Sequence, residues 1–280
     1  MEEVNKTKFI MLMEERLLTL GELLRYTFTY LTDRFGSYFI IMLAAYLPSN
    51  LVMQLKLMQV DLTVEDINLL LSQLASVGIV QLILVFIEVL APICAATLLA
   101  SQVYESDKQV TVGTAFYRGI KRWFLAVSGV IIVLLGAIMC GMWLGTFMTL
   151  PFFAVLVPAL LLFVVILYNA LLNMVCVAGT TRGFAGIFNL RYVFYLFQGW
   201  KKKALANYAV MFIITGAFSI VVELLLANIT AGIANEWLRF AIVVVFSTLA
   251  SMVTMCRFVF GTLQFFNAEL RKKATAPKPQ

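Results

Sequence analysis

Residues 123–181 read WFLAVSGVIIVLLGAIMCGMWLGTFMTLPFFAVLVPALLLFVVILYNALLNMVCVAGTT, and none of these 59 side chains is charged. A helix that crosses a bilayer needs about 20 predominantly apolar residues. The stretch is therefore long enough for two spans joined by a tight turn, which we place at Gly145–Pro151. No soluble core of ordinary size hides so long an apolar run.

The same reading extends outward in both directions. The uncharged run FGSYFIIMLAAYLPSNLVMQL (35–55) gives a first span over 35–57, with Pro48 kinking it or ending its regular part. A polar turn with Asp61, Glu65 and Asp66 precedes an apolar stretch to Val103 that only Glu88 interrupts. As one helix that stretch would be about 60 Å long, more than a bilayer holds. Its span is assigned to 77–103, with Gly78 as the break. The long central run gives 123–145 and 152–176, and the remaining spans fall at 204–227 and 237–266. The sequence thus specifies an all-α membrane protein of about six spans in three hairpins. A cytoplasmic arm (1–34) precedes the transmembrane domain (35–266), and a polar, proline-containing tail (267–280) is expected to be disordered.

Positive charge sets the orientation. Of the 21 Lys and Arg residues, five lie in the arm, four before Trp123, five before Ala204 and four in the tail. Only Lys56 and Arg239 lie on the opposite face, and Arg257 is inside the last span. That asymmetry is the positive-inside pattern, and it requires an even number of spans with both termini in the cytoplasm. The formal net charge of +6 is accounted for in the same way. The basic residues cluster beside apolar segments, so they indicate a membrane surface and not nucleic acid. The first 34 residues carry charges throughout, which excludes a cleaved secretory signal and leaves targeting to the first span.

A short amphipathic helix is expected before each hairpin, from TLGELLRYTFTYLTDRFG (19–36), TVGTAFYRGIKRW (111–123) and GFAGIFNLRYVFYLFQGW (183–200). In the first, Leu20, Leu24, Phe28, Leu31 and Phe35 follow helical spacing, while Glu22, Arg25, Thr29 and Asp33 fall elsewhere. The third ends at Trp200 and Lys201–Lys203, an aromatic belt followed by an anchor. These elements read either as grips on the lipid surface or as ordinary elbows. Arg118, Gly119, Arg191, Lys201, Lys202 and Lys203 are the candidate contacts for a protein or lipid partner at this face.

Polar groups at membrane depth are the other candidates, because burying them is costly. Glu88 and Arg257 read as a charge pair, either a proton-linked site or a structural ion pair, unless Arg257 snorkels to the headgroups. Asn169 and Asn173 form an i, i+4 asparagine pair beside Tyr168, suited to bonding between helices or to a polar pocket. Glu223 and Arg239 are expected to meet at a hairpin tip, and Gly141 with Gly145 makes a GxxxG packing motif.

The chain contains no histidine, which excludes histidine triads and most histidine metal sites. It has no GxxxxGK[ST], HExxH or GxSxG motif either. The four cysteines, Cys94, Cys140, Cys176 and Cys256, lie in apolar stretches without a CxxC pair and read as reduced core thiols. No cofactor, metal or catalytic residue is expected.

Three segments carry a family resemblance: LTLGELLRYTFTYLTDRFGSYFIIMLAAYLPSNL (18–51), TLPFFAVLVPALLLF (149–163) leading to NMVCVAG (173–179), and GFAGIFNLRYVFYLFQGWKKKAL (183–205). In layout the chain resembles the YciC-like bacterial inner-membrane proteins, and is similar to the membrane domain attached to some glycerophosphodiester phosphodiesterases. Two features depart from that pattern. Pro151 and Pro158 are followed by Phe152 and Ala159 where the family usually has glycine, and the phosphodiesterase domain is missing. The resemblance implies a bacterial cytoplasmic (inner) membrane protein and supplies no catalytic residues. The function expected is that of a non-enzymatic accessory or scaffold module working through protein or lipid partners, or else of a permease subunit served by a separate ATPase.

Overall fold

The computed structural model describes residues 2–60, 67–104, 110–147 and 156–275. The turn assigned to Gly145–Pro151 falls largely outside them. Among the described residues ten helices follow one another: α1 (Glu2–Glu15), α2 (Leu20–Asp33), α3 (Phe35–Leu57), α4 (Ile67–Glu88), α5 (Leu90–Tyr104), α6 (Val112–Phe147), α7 (Leu156–Arg182), α8 (Ile187–Leu196), α9 (Lys201–Ala231) and α10 (Glu236–Thr275). There is no strand among the described residues. Six helices, with α4 and α5 counted as one, are long and apolar enough to cross a membrane.

Helices α6 and α10 overrun the expected spans on one face. Val112–Arg122 continues straight into the third span within α6, so the second expected elbow is not a separate helix. Nothing in 111–123 breaks a helix: Thr111 accepts from the Thr114 N–H at the start, and no proline follows. The overrun of α6 alone is about 16 Å at 1.5 Å per residue. At the other end of the chain, α10 runs on to Thr275, so residues 267–275 are helical and not the disordered tail expected. Burial explains this, because every residue from Phe258 to Leu270 is buried. The face carrying α1 and the end of α10 is called the terminal face below.

The second membrane helix breaks between Glu88 and Leu90 and not at Gly78. Pro92 is the cause: it offers no N–H to the Glu88 carbonyl, and its ring crowds that oxygen. Trp123 supports the bend from outside, its indole donating to the Phe86 carbonyl at 3.0 Å. Beyond the break, α5 is buried on nearly all sides, from Ala91 to Leu99 without interruption. It forms the centre of a core with the Asn173–Thr180 half of α7 and the Phe258–Leu270 half of α10.

The opposite halves of the helices are different. Ile213, Ile214, Phe218, Ile220, Leu224 and Leu225 of α9 all point outward. In a membrane such side chains face acyl chains, which are as apolar as they are. Packing is therefore concentrated at the terminal face.

Close helix approach uses other glycines than the GxxxG pair. A Cβ on Gly141 or Gly145 would meet nothing within 4 Å. On Gly179 it would lie 2.8 Å from the Ala126 Cα, and on Gly129 it would lie 2.3 Å from Val175. The close approach of one helix backbone to another is thus between α6 and α7, nearer the terminal face.

The N-terminal elements are fastened to this core. Thr19 and Glu22 form a capping box at the start of α2. Arg16 bonds the Glu22 carboxylate with Nη2 at 2.5 Å and Nη1 at 2.9 Å, and that contact holds the carboxyl at about 2 against its ordinary 4.5. The protein-facing side of α2 is Leu23, Thr27, Tyr30 and Leu31, whereas Phe28 and Phe35 of the expected stripe point outward. Asn267 clasps α1 in both directions. Its Oδ1 accepts from the Leu18 N–H at 2.8 Å, and its Nδ2 donates to the Met13 and Arg16 carbonyls at 2.9 and 3.0 Å. Asn267→Leu strands three backbone groups, each worth about 1 kcal/mol. It is expected to free α1, read as at least tenfold faster amide exchange over Phe9–Met13 with the spans unchanged. Unaltered exchange there would refute the clasp.

Candidate functional site

The intramembrane candidates form no ion pair with one another. Glu88 ends α4 at the proline-induced break and is turned toward Ser49 of α3. Arg257 is committed elsewhere. Its guanidinium stacks 5.0 Å from the Phe212 ring centroid of α9, and Nη2 reaches the Thr254 hydroxyl at 3.4 Å. Its Nε is buried without a partner. No ion pair joins Glu88 and Arg257, which corrects the charge pair read from the sequence. The reason is geometric: the break redirects the chain at Glu88, while the Phe212 ring draws Arg257 to its own side. Glu223 and Arg239 are both exposed and do not pair either.

The two asparagines have separate tasks. Asn173 is fully buried and donates from Nδ2 to the Arg257 and Phe258 carbonyls at 3.0 and 3.3 Å. Gly261 makes room for it, since a Cβ there would sit 2.2 Å from Nδ2. Asn169 instead bonds back to Val165 of its own helix, while its backbone carbonyl accepts from the Tyr208 hydroxyl at 3.2 Å. Asn173 therefore joins α7 to α10, a bond worth about 1 kcal/mol in a membrane.

The residues able to act chemically gather at the terminal face. Between α5, α6, α7 and α10 lies a cavity of about 700 Å³, within the size range of small-molecule sites. Arg118, Lys121 and Arg122 from α6 and Arg182 from the end of α7 line it. The first three share one helix face because they follow i, i+3, i+4 spacing. Arg122 donates to the Thr180 carbonyl at the α7 terminus. Arg182 is neutralised by Glu269 of α10 through Nε and through Nη2 at 2.5 Å, and the Tyr192 phenol adds a bond to the same carboxylate at 2.5 Å. Burial first, and then that bond, push the Tyr192 phenol up, so it remains a donor. Arg118, Lys121 and Arg122 have no carboxylate partner among the described residues.

The hydroxyls of the cavity are specialised too. Thr97, Ser101, Thr180 and Thr181 donate to the carbonyls of Ile93, Leu98, Cys176 and Val177 within their own helices. Their protons are thus committed, and their oxygens are left as acceptors.

The other expected contact residues divide. Gly119 is buried, and a Cβ there would lie 3.0 Å from Cys94 Sγ, so it is a packing position between α5 and α6. Arg191 and Lys201–Lys203 are exposed. Lys201 lies 5.2 Å from the Phe194 ring centroid, and Lys272 covers Tyr195 and Trp200 at 5.0 and 5.7 Å. All four cysteines are free, and no group of three metal-ligating side chains exists among the described residues.

Fold and site together define a multi-pass α-helical membrane protein in contact with a lipid bilayer, with its polar chemistry at one end of the bundle. No family model, curated protein or solved structure matches the chain.

Proposed function

We propose that this protein is a non-enzymatic module of a bacterial cytoplasmic membrane, with both termini in the cytoplasm, that works through lipid or protein partners at its cytoplasmic face. The observation that carries this reading is the cluster of cations without a carboxylate partner at one face of the bundle. Inside the bundle, the amide N–H groups of Asn173, Gln102 and Gln264 donate to carbonyls of other helices, those of Arg257, Tyr30 and Ala204. At the terminal face, Arg118, Lys121 and Arg122 stand around a cavity with no carboxylate partner among the described residues. The positive-inside distribution supports the cytoplasmic assignment of that face, and the resemblance to the YciC-like proteins supports the bacterial one.

The test is native mass spectrometry of the protein released gently from its own membrane. A stoichiometric protein or lipid retained by wild type, and lost when the charges of this face are removed, supports the reading. Retention unaffected by those changes, or a bare chain, overturns it. The permease reading has one specific observation in its favour, the exposed Tyr117 and Arg118 on the overrun of α6. It requires an ATPase as the retained partner.

A further inference from the structure

We infer that the cavity between α5, α6, α7 and α10 is a binding site for a phosphodiester anion that carries hydroxyl groups, the chemistry of a polyol phospholipid headgroup. The inference rests on the proposed function only in taking the terminal face as the working face.

Charge comes first. Three cations without carboxylate partners among the described residues stand on one wall, while the fourth, Arg182, is already neutralised by Glu269. Unpaired cations drawn together repel one another, so an anion among them is stabilising, and guanidinium groups match phosphoryl oxygens in a bidentate manner. Carboxylates and phosphates share that attraction, and the lining adds further donors for an oxyanion. The Tyr104 and Tyr117 phenols have no protein hydrogen bond among the described residues and can donate to an oxyanion.

The hydroxyls define the rest of the ligand. With their protons given to helix carbonyls, Thr97, Ser101, Thr180 and Thr181 offer lone pairs and so select a group that donates. Hydroxyls of a polyol meet this demand, whereas a quaternary ammonium has no N–H to give. Leu125, Ala100 and Phe266 supply an apolar side against which an acyl chain can lie. A basic pocket between membrane helices at one interface is a known form of lipid headgroup recognition.

The test uses the full chain in neutral detergent and compares phosphatidylglycerol with phosphatidylcholine of the same acyl chains, followed by native mass spectrometry. Wild type is expected to prefer phosphatidylglycerol by about tenfold or more, and Arg118→Gln with Lys121→Gln to abolish that preference. Both side chains are exposed and make no protein bond among the described residues, so the thermal midpoint of the variant is expected to be unchanged. Lys201→Gln with Lys202→Gln removes equal charge elsewhere on this face and is expected to leave the preference intact. Equal retention of both lipids, or equal loss in both double variants, overturns the inference, since the second result is diffuse attraction to the whole face.

Glycerol 3-phosphate and inorganic phosphate added as competitors separate the two sources of the same chemistry. Displacement of the lipid by glycerol 3-phosphate at millimolar concentration makes a free phosphate ester a sufficient ligand. No displacement, with the lipid preference intact, commits the site to a lipid headgroup. A protein partner retained by a chain that shows no lipid preference would sink this inference while leaving the proposed function standing.

Discussion

Replacing Gly179 with leucine is expected to destabilise the protein by about 3 kcal/mol, at the upper end of overpacking costs. A Cβ at this position lies 2.8 Å from the Cα and 2.9 Å from the N of Ala126, both backbone atoms that cannot rotate aside. The two helices must separate, and Gly129, whose own Cβ would meet Val175 at 2.3 Å, shares the seam. Gly141→Leu on the same helix pair is the control. Nothing lies within 4 Å of that position, and its effect is expected to stay within about 0.5 kcal/mol. Reversible unfolding in mixed micelles measures both. Equal losses at 141 and 179 would mean that the α6–α7 seam is not held by close backbone approach. The seam also positions the cavity, since it places Arg122 against the end of α7, so anion binding is expected to fall with Gly179→Leu and to survive Gly141→Leu.

The spans were legible because hydropathy over some 20 residues is a strong signal: the first expected span, 35–57, has the same bounds as α3. Partner choice was less legible. Glu88 and Arg257 are the charges at membrane depth, and opposite sign alone suggested a pair. Whether they meet depends on the direction the chain takes after Pro92 and on the ring that Arg257 finds, neither of which is encoded locally. GxxxG fails for a related reason. The motif reports that two glycines share a helix face but not which face another helix covers, and the glycines that matter, Gly129 and Gly179, sit on different helices with no shared spacing.

The tail looked disordered by composition, yet Phe265, Phe266 and Leu270 supply buried surface that carries α10 past the membrane. The cavity had a signal that could have been used. Arg118, Lys121 and Arg122 recur at helical spacing and end in Leu125, a basic face running into an apolar one. What sequence could not supply was the opposite wall, which needs α7 and α10 folded against α5.

Arg182→Met is expected to cost about 3 kcal/mol, and the reason lies in what it leaves behind. Glu269 is only 2% exposed, and Arg182 provides its two charged hydrogen bonds. Without Arg182 the carboxylate keeps the Tyr192 phenol and no countercharge. Removing one partner of a buried pair typically costs about 3–5 kcal/mol. Arg182 itself is 36% exposed, so water entering the vacated space moderates the loss and places it at the lower end of that range. Glu269→Leu alone leaves an arginine that can still reach solvent, and its cost is expected to be smaller, about 2 kcal/mol. The double variant removes both charges together and is expected to recover at least about 1.5 kcal/mol relative to the sum of the single changes. Unfolding midpoints of the four proteins in one detergent give the coupling directly. Additive losses would show that Arg182 and Glu269 act independently, and the end of α7 would then be held to α10 by apolar packing alone.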